Sequence, residues 1–329
     1  MRQNCPKCER PLSITSDARF CMYCGQRIDS SSPPSSDPNE TADFLHVVPS
    51  FAIGIDSPAA MPEIDRVGNY RLIRPLGSGG MGSVYEAESE DSGERVAVKL
   101  LNSSLSSNPR SVERFKQEGR LASQISHPRC VFVYGADADA GRPFIVMELM
   151  PGSTLKDLVD RVGPLKAEDA LMRILDVIDG LIEAHRLGVL HRDVKPSNCF
   201  LTADDRVKIG DFGLSKSLDH SDADKQLTHS GAFLGTVLFA SPEQIRGQEV
   251  GYDSDVYSVC ATLYYLLVGK APYQHESITA ALARAISEPA PTIRDKQPDV
   301  SRALQSIVRR GLDRDRTRRW STLEELRNS

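Results

Sequence analysis

The chain has 329 residues, 40% of them hydrophobic, with a formal net charge of −5. That length and apolar content allow a large core in two or three domains, while the mild acidity gives no general attraction to nucleic acid or to an anionic membrane. No apolar run reaches the ~20 residues of a membrane span, and Met1-Arg2-Gln3-Asn4-Cys5 lacks the apolar core of a secretory signal, so the expectation is a cytoplasmic protein whose seven cysteines are reduced thiols or metal ligands.

The first predicted element rests on cysteine spacing. Cys5-Pro6-Lys7-Cys8 and Cys21-Met22-Tyr23-Cys24 are two C-x-x-C pairs with twelve residues between them, and Gly25 follows as a tight turn requires. Four soft thiolates at this spacing can close a tetrahedron around a structural zinc ion; a redox pair or incidental cysteines are the alternatives. Residues 1–29 bury little apolar surface, so the metal would supply most of their folding free energy. The segment resembles a zinc ribbon. Lys7, Arg10, Arg19 and Arg27 alternate with Glu9, Asp17 and Asp29, which favours docking to a protein partner over binding nucleic acid. Residues 30–66 then turn to Ser, Pro and Asp and read as a flexible linker. An apolar island from Phe44 to Ile53 interrupts it, either as a docking segment or as loosely ordered linker.

From Tyr70 the pattern becomes that of strands. Tyr70 to Leu76 runs into Gly77-Ser78-Gly79-Gly80-Met81-Gly82-Ser83-Val84, a G-x-G-x-x-G that brings backbone close to phosphate. A dinucleotide-binding loop would open a helix here, whereas Val84-Tyr85-Glu86-Ala87 resumes a strand, and no Gly-Lys-Ser/Thr closes a P-loop. Val96-Ala97-Val98-Lys99 puts a lysine on the next alternating strand. Ser111 to Ile125 has helical spacing, Phe144 to Met150 reads as a buried strand, and Leu165 to Leu187 as a helix ending before Gly188.

The chemistry concentrates in His191-Arg192-Asp193-Val194-Lys195-Pro196-Ser197-Asn198, followed by the short strand Val207-Lys208-Ile209 and Asp211-Phe212-Gly213. A carboxylate, an ammonium and an amide within six residues, with a second acid behind a strand, suit phosphoryl transfer. That reaction mainly needs positioning and neutralisation of charge. Asp193 would take or orient a hydroxyl proton and Lys195 would offset the γ-phosphate charge. Asn198 and Asp211 would hold magnesium, or manganese, through oxygen. Val256 to Val268 is predicted to be a buried helix.

These motifs match H-R-D-x-K-x-x-N, D-F-G, G-x-G-x-x-G and V-A-I-K, so residues 67–329 resemble a bacterial Ser/Thr protein kinase. The resemblance implies an α+β, bilobal fold that binds ATP in the cleft, with a β-rich N-lobe (67–147), a hinge (148–152) and a helical C-lobe (153–329). Lys99 would hold the α- and β-phosphates under the glycine loop (Gly77, Gly79, Gly82), oriented by Glu118, with Glu113 as the other available acid. Val84 and Ala97 would cover adenine, Met147 would be the gatekeeper, and the backbone of Glu148 and Met150 would bond the base. The floor position falls on Phe200, where relatives carry an aliphatic residue; its ring would stack on adenine or crowd it. Thr228 and Ser230 become activation-loop phosphosite candidates, with Arg192 and Lys216 as partners for the phosphate. Thr236 would face a Ser/Thr acceptor of a protein substrate. Asp255 would fix the catalytic-loop backbone, and Arg319 would pair with Glu243. Activating autophosphorylation through a transient homodimer also belongs to the resemblance.

Overall fold

Alternation of apolar residues explains the sheet of this computed structural model, which describes residues 65–79, 82–106, 108–150, 152–212 and 237–329. Six antiparallel strands stand in the order β1-β2-β3-β4-β6-β5: β1 (Arg66–Val67), β2 (Tyr70–Ser78), β3 (Gly82–Ser89), β4 (Arg95–Leu101), β5 (Val133–Asp139) and β6 (Arg142–Glu148). Successive side chains leave a strand on opposite faces. Val96, Val98, Phe144 and Val146 therefore gather with Leu72 and Ala87 in a small core on one face. Ala97, Leu101, Ile145 and Met147 join the main core on the other. Gly82 is required by close pairing, because a Cβ there would lie 2.0 Å from the Leu100 carbonyl oxygen.

On the main-core face lies α2 (Pro109–Ala122), after the single turn α1 (Ser103–Ser106). It starts two residues earlier than its apolar spacing suggests, because the Asn108 side chain caps the Arg110 N–H and Pro109 fits the first turn. The strand predicted for 144–150 occupies 142–148.

The rest is mainly helical: α3 (Leu155–Val162), α4 (Ala167–Arg186), α5 (Pro242–Ile245), α6 (Tyr252–Val268), α7 (Ile278–Ser287), α8 (Arg302–Gly311) and α9 (Leu323–Asn328). From Ser254 to Leu267 every residue of α6 is buried, which makes it the central helix. Strands β7 (Cys199–Leu201) and β8 (Val207–Ile209) pair antiparallel beside α4. The expected N- and C-terminal halves, the helix 165–187 and the buried helix 256–268 are thus found, with boundaries shifted by a few residues. Among the described residues no helix is long and apolar enough to cross a membrane. The cysteine pairs, the linker, Gly80, Met81, Gly213, Lys216, Thr228, Ser230 and Thr236 lie outside the described residues.

Candidate active site

Catalytic-loop geometry begins at the buried Asp255 on α6. Its Oδ2 accepts the His191 N–H and its Oδ1 the Arg192 N–H, each at 2.8 Å, and Oδ2 also accepts from His185 Nε2 at 2.8 Å. Burial alone would raise this carboxyl's pKa, but the His185 hydrogen bond, the neighbouring charges and the loop amide hold it below the usual value. The expected backbone-fixing role is therefore visible in the bonds themselves.

His191 has no exposed surface. Burial lowers its pKa and favours the neutral ring. One neutral tautomer satisfies both its contacts: Nε2–H donates to the Gly210 carbonyl at 3.0 Å, and Nδ1 accepts the Asp193 N–H at 3.2 Å. Its ring also rests against Phe212, with centroids 4.8 Å apart. This role was not read from the sequence, although the histidine heads the motif.

Asp193, Lys195 and Asn198 are brought together as predicted. Lys195 Nζ donates to Asp193 Oδ2 at 2.8 Å. Asn198 Nδ2 donates to the Asp193 carbonyl at 2.8 Å and to its Oδ2 at 3.2 Å. The Lys195 and Asn198 bonds to Oδ2 together hold the carboxylate in one rotamer.

Lys99 departs from expectation. It pairs with Asp211 at 2.8 Å, and among the described residues no ion pair joins it to Glu118. In this arrangement burial pushes the Glu118 carboxyl up to about 7, against the opposing charges of Arg114, Lys99 and Arg192. At pH 7 such a carboxyl is about half ionised. Asp211 behaves oppositely, since the charge and hydrogen bond of Lys99 outweigh its burial and keep its pKa low. Two non-glycine residues here take positive φ, Arg192 at 63° and Asp211 at 62°, a concentration of backbone strain typical of functional loops.

Of the residues expected to surround adenine, Ala97 and Met147 are buried and Val84, Met150 and Phe200 pack against the main core. Met147 lines a small cavity with Ala122, Val133, Ile145, Asp211 and Phe212. Glu148 is more committed than the sequence indicated. Its N–H bonds the Phe132 carbonyl at 2.8 Å, and its carboxylate holds Lys208 at 2.6 Å and 2.7 Å. Phe200 is accommodated by Gly210, where a Cβ would come within 3.0 Å of the phenyl ring and 2.8 Å of Val131. The bulky residue at 200 is thus matched by the missing side chain at 210.

Comparison with known proteins agrees with this geometry. The chain is 33% identical over 258 residues to the probable serine/threonine-protein kinase PknB of Lactococcus lactis, covering 78% of this chain and 40% of that protein. It is 36% identical over 268 residues to the serine/threonine-protein kinase Pkn1 of Myxococcus xanthus, covering 80% of this chain and 38% of that one. The chain thus spans about two-fifths of the length of these relatives. A crystal structure of the Mycobacterium tuberculosis PknI kinase domain superposes with a TM-score of 0.64 at 24% identity, covering 82% of this chain and 98% of that one, and shows the fold. With the protein kinase domain profile matching residues 70–329, most of its length, the chain belongs to the protein kinase family.

Proposed function

We propose that this chain is an ATP- and magnesium-dependent serine/threonine protein kinase that transfers the γ-phosphate of ATP to Ser or Thr hydroxyls of proteins. One observation carries the reading: Asp193, Lys195 and Asn198 form a single hydrogen-bonded group, and the two residues just before it, His191 and Arg192, have their amides anchored to a buried aspartate of the central helix. In the transfer, Asp193 accepts the proton of the acceptor hydroxyl as its oxygen bonds to phosphorus. The bond from the γ-phosphorus to the β-phosphate oxygen breaks, and the electron pair leaves on ADP. Lys195 offsets charge on the moving group, and Lys99 holds the nucleotide phosphates. A Cβ at Gly77 or Gly79 would meet nothing within 4 Å, which leaves open space for a ligand beside the loop backbone.

Asp211 and Asn198 Oδ1 are hard oxygen donors that fit magnesium or manganese. When bound, the cation supplies neutralisation of phosphate charge. Lys195 two residues after Asp193 favours Ser/Thr acceptors, and Thr228 and Ser230 are the proposed sites of activating autophosphorylation. For residues 1–29 we propose a zinc ribbon ligated by Cys5, Cys8, Cys21 and Cys24, a reading carried by cysteine spacing. It is checked by metal analysis, which should find one zinc per chain, lost on Cys8→Ser.

Intact mass after incubation with ATP and Mg²⁺ tests the kinase reading. Wild type should gain phosphate on Thr228 or Ser230 and Asp193→Asn should gain none. Equal behaviour of the two proteins would favour a second reading, a scaffold without turnover. That reading draws on the Lys99 pairing, in which the lysine is held by Asp211 rather than Glu118.

A further inference from the structure

The peptide unit between Arg192 and Asp193 carries the left-handed backbone of Arg192 (φ 63°) directly into the catalytic aspartate. Its N–H end, on Asp193, bonds His191 Nδ1 at 3.2 Å. Its carbonyl end, on Arg192, accepts from Gln244 Nε2 at 2.8 Å. We propose that Gln244 is a positioning residue for Asp193, fixing this peptide unit from α5 by its side-chain amide. The inference rests on the kinase reading given above.

Both ends of the Gln244 amide are used, and for different purposes. Its Oε1 accepts from the Ser241 N–H at 3.0 Å and Oγ at 3.2 Å, while Ser241 Oγ caps the Gln244 N–H at 3.4 Å. That is a capping box, for which glutamate serves as well as glutamine. An ionised glutamate has no donor, whereas glutamine caps with oxygen and also donates to a carbonyl through nitrogen. The platform is rigid, because the neighbouring Glu243 is held by Arg319 at 2.7 Å and 2.8 Å and by Ser254 at 2.5 Å. A left-handed non-glycine residue is strained, so without the Gln244 bond the unit can rotate and carry the Asp193 carboxylate off its acceptor. The sequence held a signal for this residue, Ser241-Pro242-Glu243-Gln244, an S-x-x-Q pattern at a helix start.

Gln244→Glu separates the two functions: it keeps the cap and replaces the donor with an oxygen. The full-length variant, wild type and Asp193→Asn are assayed with ATP, Mg²⁺ and myelin basic protein as acceptor. Rates are normalised to titrated nucleotide sites, so that any unfolded fraction drops out. At pH 8 Gln244→Glu should lose about tenfold in kcat with KM for ATP little changed. As pH falls and the new carboxyl protonates, it becomes a donor again, and the ratio of its kcat to that of wild type should rise. The ionisable groups nearby are Arg192, Asp193 and Asp255 around the loop, Glu243 and Arg246 beside α5, and Arg319; dividing by wild type at each pH cancels their titration. Gln244→Ala, with no donor at any pH, should show a low, flat ratio. An unchanged kcat for Gln244→Glu, or a lowered ratio that stays flat with pH, would overturn the positioning role while leaving the kinase reading intact. Wild type no more active than Asp193→Asn would overturn both.

Discussion

Glu118 combines two opposing demands on one carboxyl. Its pKa is raised from 4.5 to about 7, chiefly by burial, so between these values the folded chain keeps a proton that the unfolded chain releases. Stability therefore falls as pH rises from 4.5 to 7 and stays reduced above 7. Glu118→Gln should stabilise the protein by about 1–2 kcal/mol above pH 7 and by little near pH 5, measured by urea unfolding at both. The same variant should lower kcat at least tenfold, since the amide cannot provide a charge for Lys99 once nucleotide displaces Asp211. Phe200 and Gly210 form a second pair to be tested together. Gly210→Ala should cost about 1–3 kcal/mol by overpacking. Phe200→Leu in the same chain should restore part of it, because the approach to Val131 remains. Urea unfolding of the single and double variants measures the recovery.

Among the elements, α5 is only four residues long and is fixed by what it contacts rather than by its own propensity. Arg319 reaches it with no exposed side-chain surface and grips both oxygens of Glu243. Burial alone would raise the Glu243 pKa, but Arg319 and Ser254 hold it at about 2. Its contribution to stability is present above pH 4.5 and is lost as pH falls toward 2. Arg319→Met should destabilise by about 3–5 kcal/mol at pH 7, because it leaves a buried carboxylate unpaired; chemical denaturation checks this. Much of the arrangement was legible in sequence. Asp193, Lys195, Asn198 and Asp211 lie on short, motif-bearing segments, and the Glu243–Arg319 pair followed from the family resemblance. The partner of Lys99 was not legible, because Glu118 and Asp211 both carry a carboxyl and only the three-dimensional arrangement brings one of them, Asp211, within bonding distance. Nor was the fit of Phe200, since its complement is the absence of a side chain ten residues away. Gln244 was missed because its pattern signals a helix start, and the bond to Arg192 joins residues 52 apart.

Across the whole molecule, the Lys99–Asp211 pair ties the six-stranded sheet to the loop that follows β8. Its partners are the groups that the proposed nucleotide and cation would claim separately. Phosphate alone would draw off Lys99 and strand the carboxylate; a cation alone would do the reverse. Either ligand must leave one charge uncompensated, while both together leave none, so the two should bind with positive cooperativity of about 1–3 kcal/mol, equal whichever arrives first. Calorimetric titration of ATP with and without magnesium should show an affinity gain beyond that from their association in free solution. In Lys99→Met, which has no such bond to break, that excess should vanish. On the proposed function, the Lys99–Asp211 pair would work as a two-key lock, admitting nucleotide and metal as a unit.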